Sequence, residues 1–139
     1  MKRLPIGTQS FEVLRRSGNI YVDKTEHIYN LISNGRIYFL SRPRRFGKSL
    51  LISTLKELFR GKKEIFEGLY ICDKWDWTKK YPVIHLDFTE IEYETGEQLK
   101  ISLEKFLDDT ATRESIKLEK TATRLINAKF AELIEKMHK

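Results

Sequence analysis

Cysteine is nearly absent from this sequence: Cys72 stands alone, so no internal disulfide can form. The three histidines, His27, His85 and His138, are too scattered for metal-ligand spacing, which excludes a zinc-type site built from His and Cys. No apolar run approaches the roughly 18 to 20 residues that cross a bilayer. The opening residues lack the uninterrupted apolar core of a signal peptide. A soluble, unexported, cytoplasmic chain with no membrane partner is expected. Internal repeats, low-complexity tracts and Pro/Gly/Ser linkers are also missing, so residues 1–139 read as a single domain around one core.

What is present is the composition of an ordinary globular protein, 40% hydrophobic and 33% charged, with enough apolar area to offset chain entropy. The net charge of +6 is unevenly distributed. Residues 36–63 carry nine basic side chains against one acidic, whereas 64–119 are net acidic by seven charges. A local basic cluster points to an anion held at one place rather than to a uniformly polyanion-coating surface.

Periodicity supplies the elements. The segment Asp23 to Asn34 reads as a helix, with Asp23 as cap, Glu26 in a capping-box position, and Ile28, Leu31 and Ile32 on one stripe; Gly35 ends it. Ile37-Tyr38-Phe39-Leu40 reads as a strand buried on both faces, the kind found in parallel sheets. Leu51, Leu55, Leu58 and Phe59 predict a helix over Lys48 to Arg60, stopped by Gly61. Glu64 to Leu69 reads as a helical turn, with Trp75 and Trp77 packing over the edge of the core. Val83 to Phe88 is a second strand candidate, and helices are expected over Glu97 to Asp109 and from about Thr121 to His138. Alternating strands and helices predict an α/β fold: a partial P-loop NTPase, with a short parallel sheet flanked by helices.

Between the first strand and its helix lies Arg42-Pro43-Arg44-Arg45-Phe46-Gly47-Lys48-Ser49, followed by Leu50. The phosphate-binding pattern is Gly-x-x-x-x-Gly-Lys-[Ser/Thr], and each position has a physical task. Gly47 permits the turn that aims backbone N–H groups at phosphate oxygens, while the helix start adds its positive end. Lys48 reaches the terminal phosphates, and the Ser49 hydroxyl is positioned as a ligand of Mg²⁺. Arg42 departs from the pattern, standing where the first glycine belongs and implying an altered loop entry.

The chain resembles the predicted AAA-type ATPases of bacteria and archaea, the AAA-ATPase-like domain family. The resemblance is carried by Pro5-Ile6-Gly7, Phe11-Glu12-x-Leu14-Arg15, Tyr21-Val22-Asp23-Lys24-Thr25, Arg42 through Leu50, Leu58-Phe59, Phe66 through Ile71, and Tyr81 through Ile84. In that family Arg-Pro-Arg-Arg-Phe-Gly-Lys-Ser is the usual loop, so the resemblance makes Arg42 part of a signature. It implies ATP and Mg²⁺ as cofactors, with nucleotide contacts from Arg42 through Leu50 and, near the base and ribose, from Tyr21, Asp23 and Lys24. Asp23 reads equally well as a plain helix cap.

Hydrolysis also needs a carboxylate at the end of a buried strand. Asp87, closing Val83-Ile84-His85-Leu86, has that form. The resemblance instead implies an acidic strand beyond these residues. The chain is therefore expected to be the N-terminal, nucleotide-holding part of a larger ATPase domain that lacks the catalytic acidic motif. Family members are often fused to a nuclease-like domain, which implies nucleic acid as a partner of the full-length protein. A competing reading makes Arg36, Arg42, Arg44, Arg45, Lys62 and Lys63 a patch for nucleic acid or another polyanion.

Overall fold

A computed structural model describes residues 4–89, 91, 94–119 and 126–138. These residues form α1 (Phe11–Arg16), α2 (Thr25–Asn34), α3 (Lys48–Phe59), α4 (Gly96–Arg113) and α5 (Ile126–Met137), with two 3-10 turns at Lys63–Phe66 and Tyr70–Asp73. They fall into two compact units, Met1–Val83 and Ile84–Lys139.

The first unit is built on α1, α2 and α3. Its core comprises Phe11, Ile28, Leu58, Ile65, Phe66, Leu69 and Ile71, with Trp75 and Trp77 packed against it. Phe11 and Phe66 meet with ring centroids 4.7 Å apart, and both are fully buried. Each such side chain contributes roughly 2–3 kcal/mol through burial. Helix α1 was not legible from hydrophobic periodicity because it is only six residues long. It forms because the Ser10 hydroxyl caps the Val13 amide and because tertiary bonds hold both ends. The Phe11 amide donates to Ser53 Oγ of α3 at 2.9 Å. Arg15 donates to the carbonyls of Ile65 and Glu67 at 2.8 and 2.6 Å, tying α1 to the first 3-10 turn.

The second unit is a helical hairpin. Helix α4 opens with a reciprocal capping box: the Gln98 amide donates to Thr95 Oγ1, and the Thr95 amide donates to Gln98 Oε1. Leu107, Ala111 and Leu133 form its core. Lys129 is buried on α5, where its ammonium donates to Asp108 of α4 at 2.7 Å. The predicted start of α5 at Thr121 lies outside the described residues.

The expected α/β fold is not what forms. Among the described residues there is no strand and no parallel sheet; all regular structure is helical. Ile37 and Phe39 are 94% and 93% exposed, where a strand buried on both faces would hide them. Val83 through Asp87 likewise carry no regular structure, and Phe88 lies in a turn. The physical reason is that a strand closes its backbone hydrogen bonds only against neighbouring strands, and none of the described residues supplies one. An apolar run records a demand for burial without supplying the partner that meets it. The Tyr38 hydroxyl instead donates to the Leu31 carbonyl of α2.

Candidate functional site

The segment Arg42 through Ser49 lies in the first unit and enters α3 directly. Arg45 and Gly47 both take the left-handed conformation, at φ 68° and 75°. Glycine adopts it freely, whereas for Arg45 it costs about 1–2 kcal/mol. Gly47 is the residue before α3, and its carbonyl accepts the Leu51 amide at 2.9 Å, the first bond of the helix. The loop thus delivers its chain to the positive end of a twelve-residue helix with no acidic residue in the first turn.

Lys48 is folded back onto this loop. Its ammonium donates to the carbonyls of Arg42 and Pro43 at 2.5 and 2.8 Å. Ser49 and Phe46 are exposed. The guanidinium groups of Arg36, Arg42, Arg44 and Arg45 are exposed and have no acidic partner among the described residues. Two other cations of the unit are committed: Lys62 bridges Glu12 and Glu57, each at 2.8 Å, and Arg16 pairs with Glu12. Lys62 is consequently held above the ordinary lysine range by its bonds to Glu12 and Glu57.

Beside the loop opens a cavity of about 670 Å³. From the loop, Arg42, Phe46, Gly47 and Leu50 line it, while Pro43, Arg44, Arg45, Lys48 and Ser49 do not. The opposite walls are aliphatic, with Ile28 and Leu31 of α2 and Leu4 and Pro5 of the N-terminal segment. Tyr21 and Lys24 also line it, whereas Asp23 does not. Burial pushes the Tyr21 phenol above its usual range, and the nearby Asp23 charge adds to that. His27 is a wall residue that motif reading passed over. Its only signal was its place one turn N-terminal to Leu31 on α2.

The Asp23 carboxylate faces the 3-10 turns instead. Oδ1 accepts the Thr25 amide and hydroxyl at 2.8 and 2.7 Å, and Oδ2 accepts the Tyr70 amide at 2.7 Å. The buried Thr25 hydroxyl then accepts the Ile71 amide at 3.2 Å. Burial alone would raise the Asp23 pKa; these bonds and the Arg15 charge outweigh it and hold the carboxyl below its ordinary range. The same Asp-x-Thr turn recurs at Asp76 with Thr78 and at Asp87 with Thr89. Asp87 lies in the second unit, and Thr89 holds its carboxyl low by accepting that role as double donor.

Mg²⁺ requires several oxygen donors, ordinarily with one or two carboxylates among them. Of that set the loop offers the Ser49 hydroxyl. No Asp or Glu lines the cavity, and no group of three or more His, Cys, Asp or Glu side chains among the described residues could hold a metal ion. Among the described residues no carboxylate joins Ser49 at the loop, so these residues do not by themselves complete a Mg²⁺ shell.

Residues 5–139 match the protein family described as "Predicted AAA-ATPase". The chain belongs to this AAA-ATPase-like family. It is also similar to an uncharacterized protein in the vnfD 5' region of Azotobacter chroococcum mcd 1, with 41% identity over 138 residues. That alignment covers 99% of this chain but 26% of the relative, so this AAA-ATPase-like chain spans about a quarter of the relative's length. No solved structure matches it. No helix among the described residues is long and apolar enough to cross a membrane.

Proposed function

We propose that this AAA-ATPase-like chain binds ATP, holding the phosphates at Arg42 through Ser49 and the base in the adjoining cavity. The observation that carries the reading is a loop with two left-handed residues that feeds the start of α3 and bears three arginines with no acidic partner among the described residues. Backbone amides at such a turn and the helix end attract phosphate oxygens. Lys48 exchanges its two carbonyl partners for phosphate. The cavity has the size of a small-molecule site and a mainly aliphatic wall suited to a flat base, with Lys24 and Arg42 at its polar margin.

Hydrolysis belongs to the longer protein in this reading. A water-activating carboxylate must stand beside the terminal phosphate. Asp87 accepts two bonds from Thr89 on Oδ1 in the second unit. The cytoplasm, where nucleotide is abundant, suits a chain with the single cysteine Cys72.

Following amide shifts during titration with ATP tests the proposal. Gly47 through Leu50 are expected to shift, and Lys48→Ala is expected to weaken binding by about tenfold or more, a loss of about 1.4 kcal/mol. Unperturbed loop amides at saturating ATP would falsify it. A second reading, a polyanion patch, is favoured by the unpaired guanidinium groups of Arg36, Arg42, Arg44 and Arg45. It predicts salt-sensitive binding to DNA that survives Lys48→Ala but is lost on replacing the loop arginines.

A further inference from the structure

Between Glu26 and Glu57 the sequence has no acidic residue, and this interval contains the whole phosphate loop and most of α3. Asp23, the nearest carboxylate on the N-terminal side after Glu26, has both oxygens engaged by Thr25 and Tyr70. On the far side, Glu57 is paired with Lys62. The loop therefore lacks carboxylate ligands in its own stretch of chain, and the cavity it faces has none among the described residues. Against that stand Arg42, Arg44, Arg45 and Lys48, four cations within seven residues, and the three guanidinium groups have no acidic partner among the described residues.

We infer that this loop takes its polyphosphate as the metal-free anion, with Arg42, Arg44 and Arg45 supplying the neutralisation for which most phosphate loops recruit Mg²⁺. The inference rests on the nucleotide-binding reading. Free ATP carries about four negative charges at neutral pH, from one terminal and two inner phosphates. The four loop cations match that charge. The magnesium complex carries only about half of it, so Mg²⁺ would enter a field that is already positive, with the Ser49 hydroxyl as the loop's one side-chain oxygen donor. Guanidinium forks bind phosphate oxygens in pairs, so they replace the cation in geometry as well as in charge.

The test compares ATP affinity of the 139-residue chain in excess EDTA and in excess magnesium, by calorimetry and by the amide shifts of Gly47 through Leu50. Affinity in EDTA is expected to equal or exceed that in magnesium. Replacing Arg42, Arg44 and Arg45 together by glutamine is expected to weaken binding in EDTA by about tenfold or more. The loss in magnesium is expected to be smaller, because the metal complex then needs less neutralisation. If the triple variant does not fold, Arg44→Gln alone carries the comparison, since this exposed side chain has no partner to lose. Binding that requires magnesium would overturn the inference and leave the nucleotide reading standing. Absence of binding under both conditions would overturn both.

Discussion

The carboxylate of Asp23 accepts the backbone amide of Tyr70 at 2.7 Å, across 47 residues of sequence. This one side chain joins the start of α2 to the second 3-10 turn, and the buried Thr25 hydroxyl repeats the connection at Ile71. A residue that reads as a nucleotide contact or a helix cap therefore also closes the fold of the first unit.

Stability should follow the charge of Asp23. Its folded pKa lies below its ordinary value, so its contribution is complete above the unfolded pKa and is lost as pH falls through the folded one. Asp23→Asn is expected to lower stability by about 1–2 kcal/mol at neutral pH, a figure discounted for its partial exposure. It should also flatten the acid limb of the stability curve. Urea unfolding between neutral pH and the acid range measures both; an unchanged acid limb in the variant would contradict the assignment.

Backbone conformation separates the two left-handed loop residues. Arg45→Gly relieves about 1–2 kcal/mol of strain and gives back part of it as unfolded-chain entropy, so the melting temperature should hold or rise slightly. Gly47→Ala should be destabilising by about 1 kcal/mol. An added Cβ there meets nothing within 4 Å, so the cost is conformational rather than steric. In thermal melts Gly47→Ala should fall below the parent chain while Arg45→Gly should not.

Filling the cavity separates base from phosphates. Leu31 is partly buried on α2 and lines the cavity from outside the loop sequence. Leu31→Trp is expected to reduce ATP affinity about tenfold while leaving inorganic tripolyphosphate binding within about twofold. Equal losses for both ligands in calorimetry would show that the base does not occupy this space.

In the second unit the pair Lys129 and Asp108 should behave asymmetrically. Lys129 is 7% exposed, so Asp108→Ala strands a buried ammonium and is expected to cost about 1–3 kcal/mol, less than for a fully buried pair because Asp108 itself is half-exposed. Lys129→Met keeps the apolar stem packed and removes the charge, and should be near neutral or stabilising. Chemical denaturation of the two single variants gives the comparison directly.

Much of the helical structure was legible because its causes are local. The stripe of Leu51, Leu55 and Leu58 places α3 within one residue of its observed end, and Gly61 follows at φ 72°. Helix α4 runs beyond the expected Glu97 to Asp109 because the Thr95 and Gln98 box starts it earlier and Thr110 and Ala111 remain buried past its expected end. Helix α2 begins at Thr25, with Lys24 before it and no side-chain cap, because Asp23 is drawn toward Tyr70 rather than into a capping box with Glu26. The strand readings failed for another reason: Ile37 through Leu40 have the composition of a buried strand, but pairing is a property of two segments, and composition describes one.

By itself the sequence determined the family, the longer helices and the concentration of positive charge at Arg42 through Lys48, because residue order, periodicity and charge are local properties. Only the tertiary structure decided that Tyr21 and Lys24 line the cavity while Asp23 turns away to bind Tyr70. Those three residues are near neighbours in sequence. Which wall each one faces depends on hydrogen bonds and contacts formed with segments tens of residues away, and no local pattern encodes those.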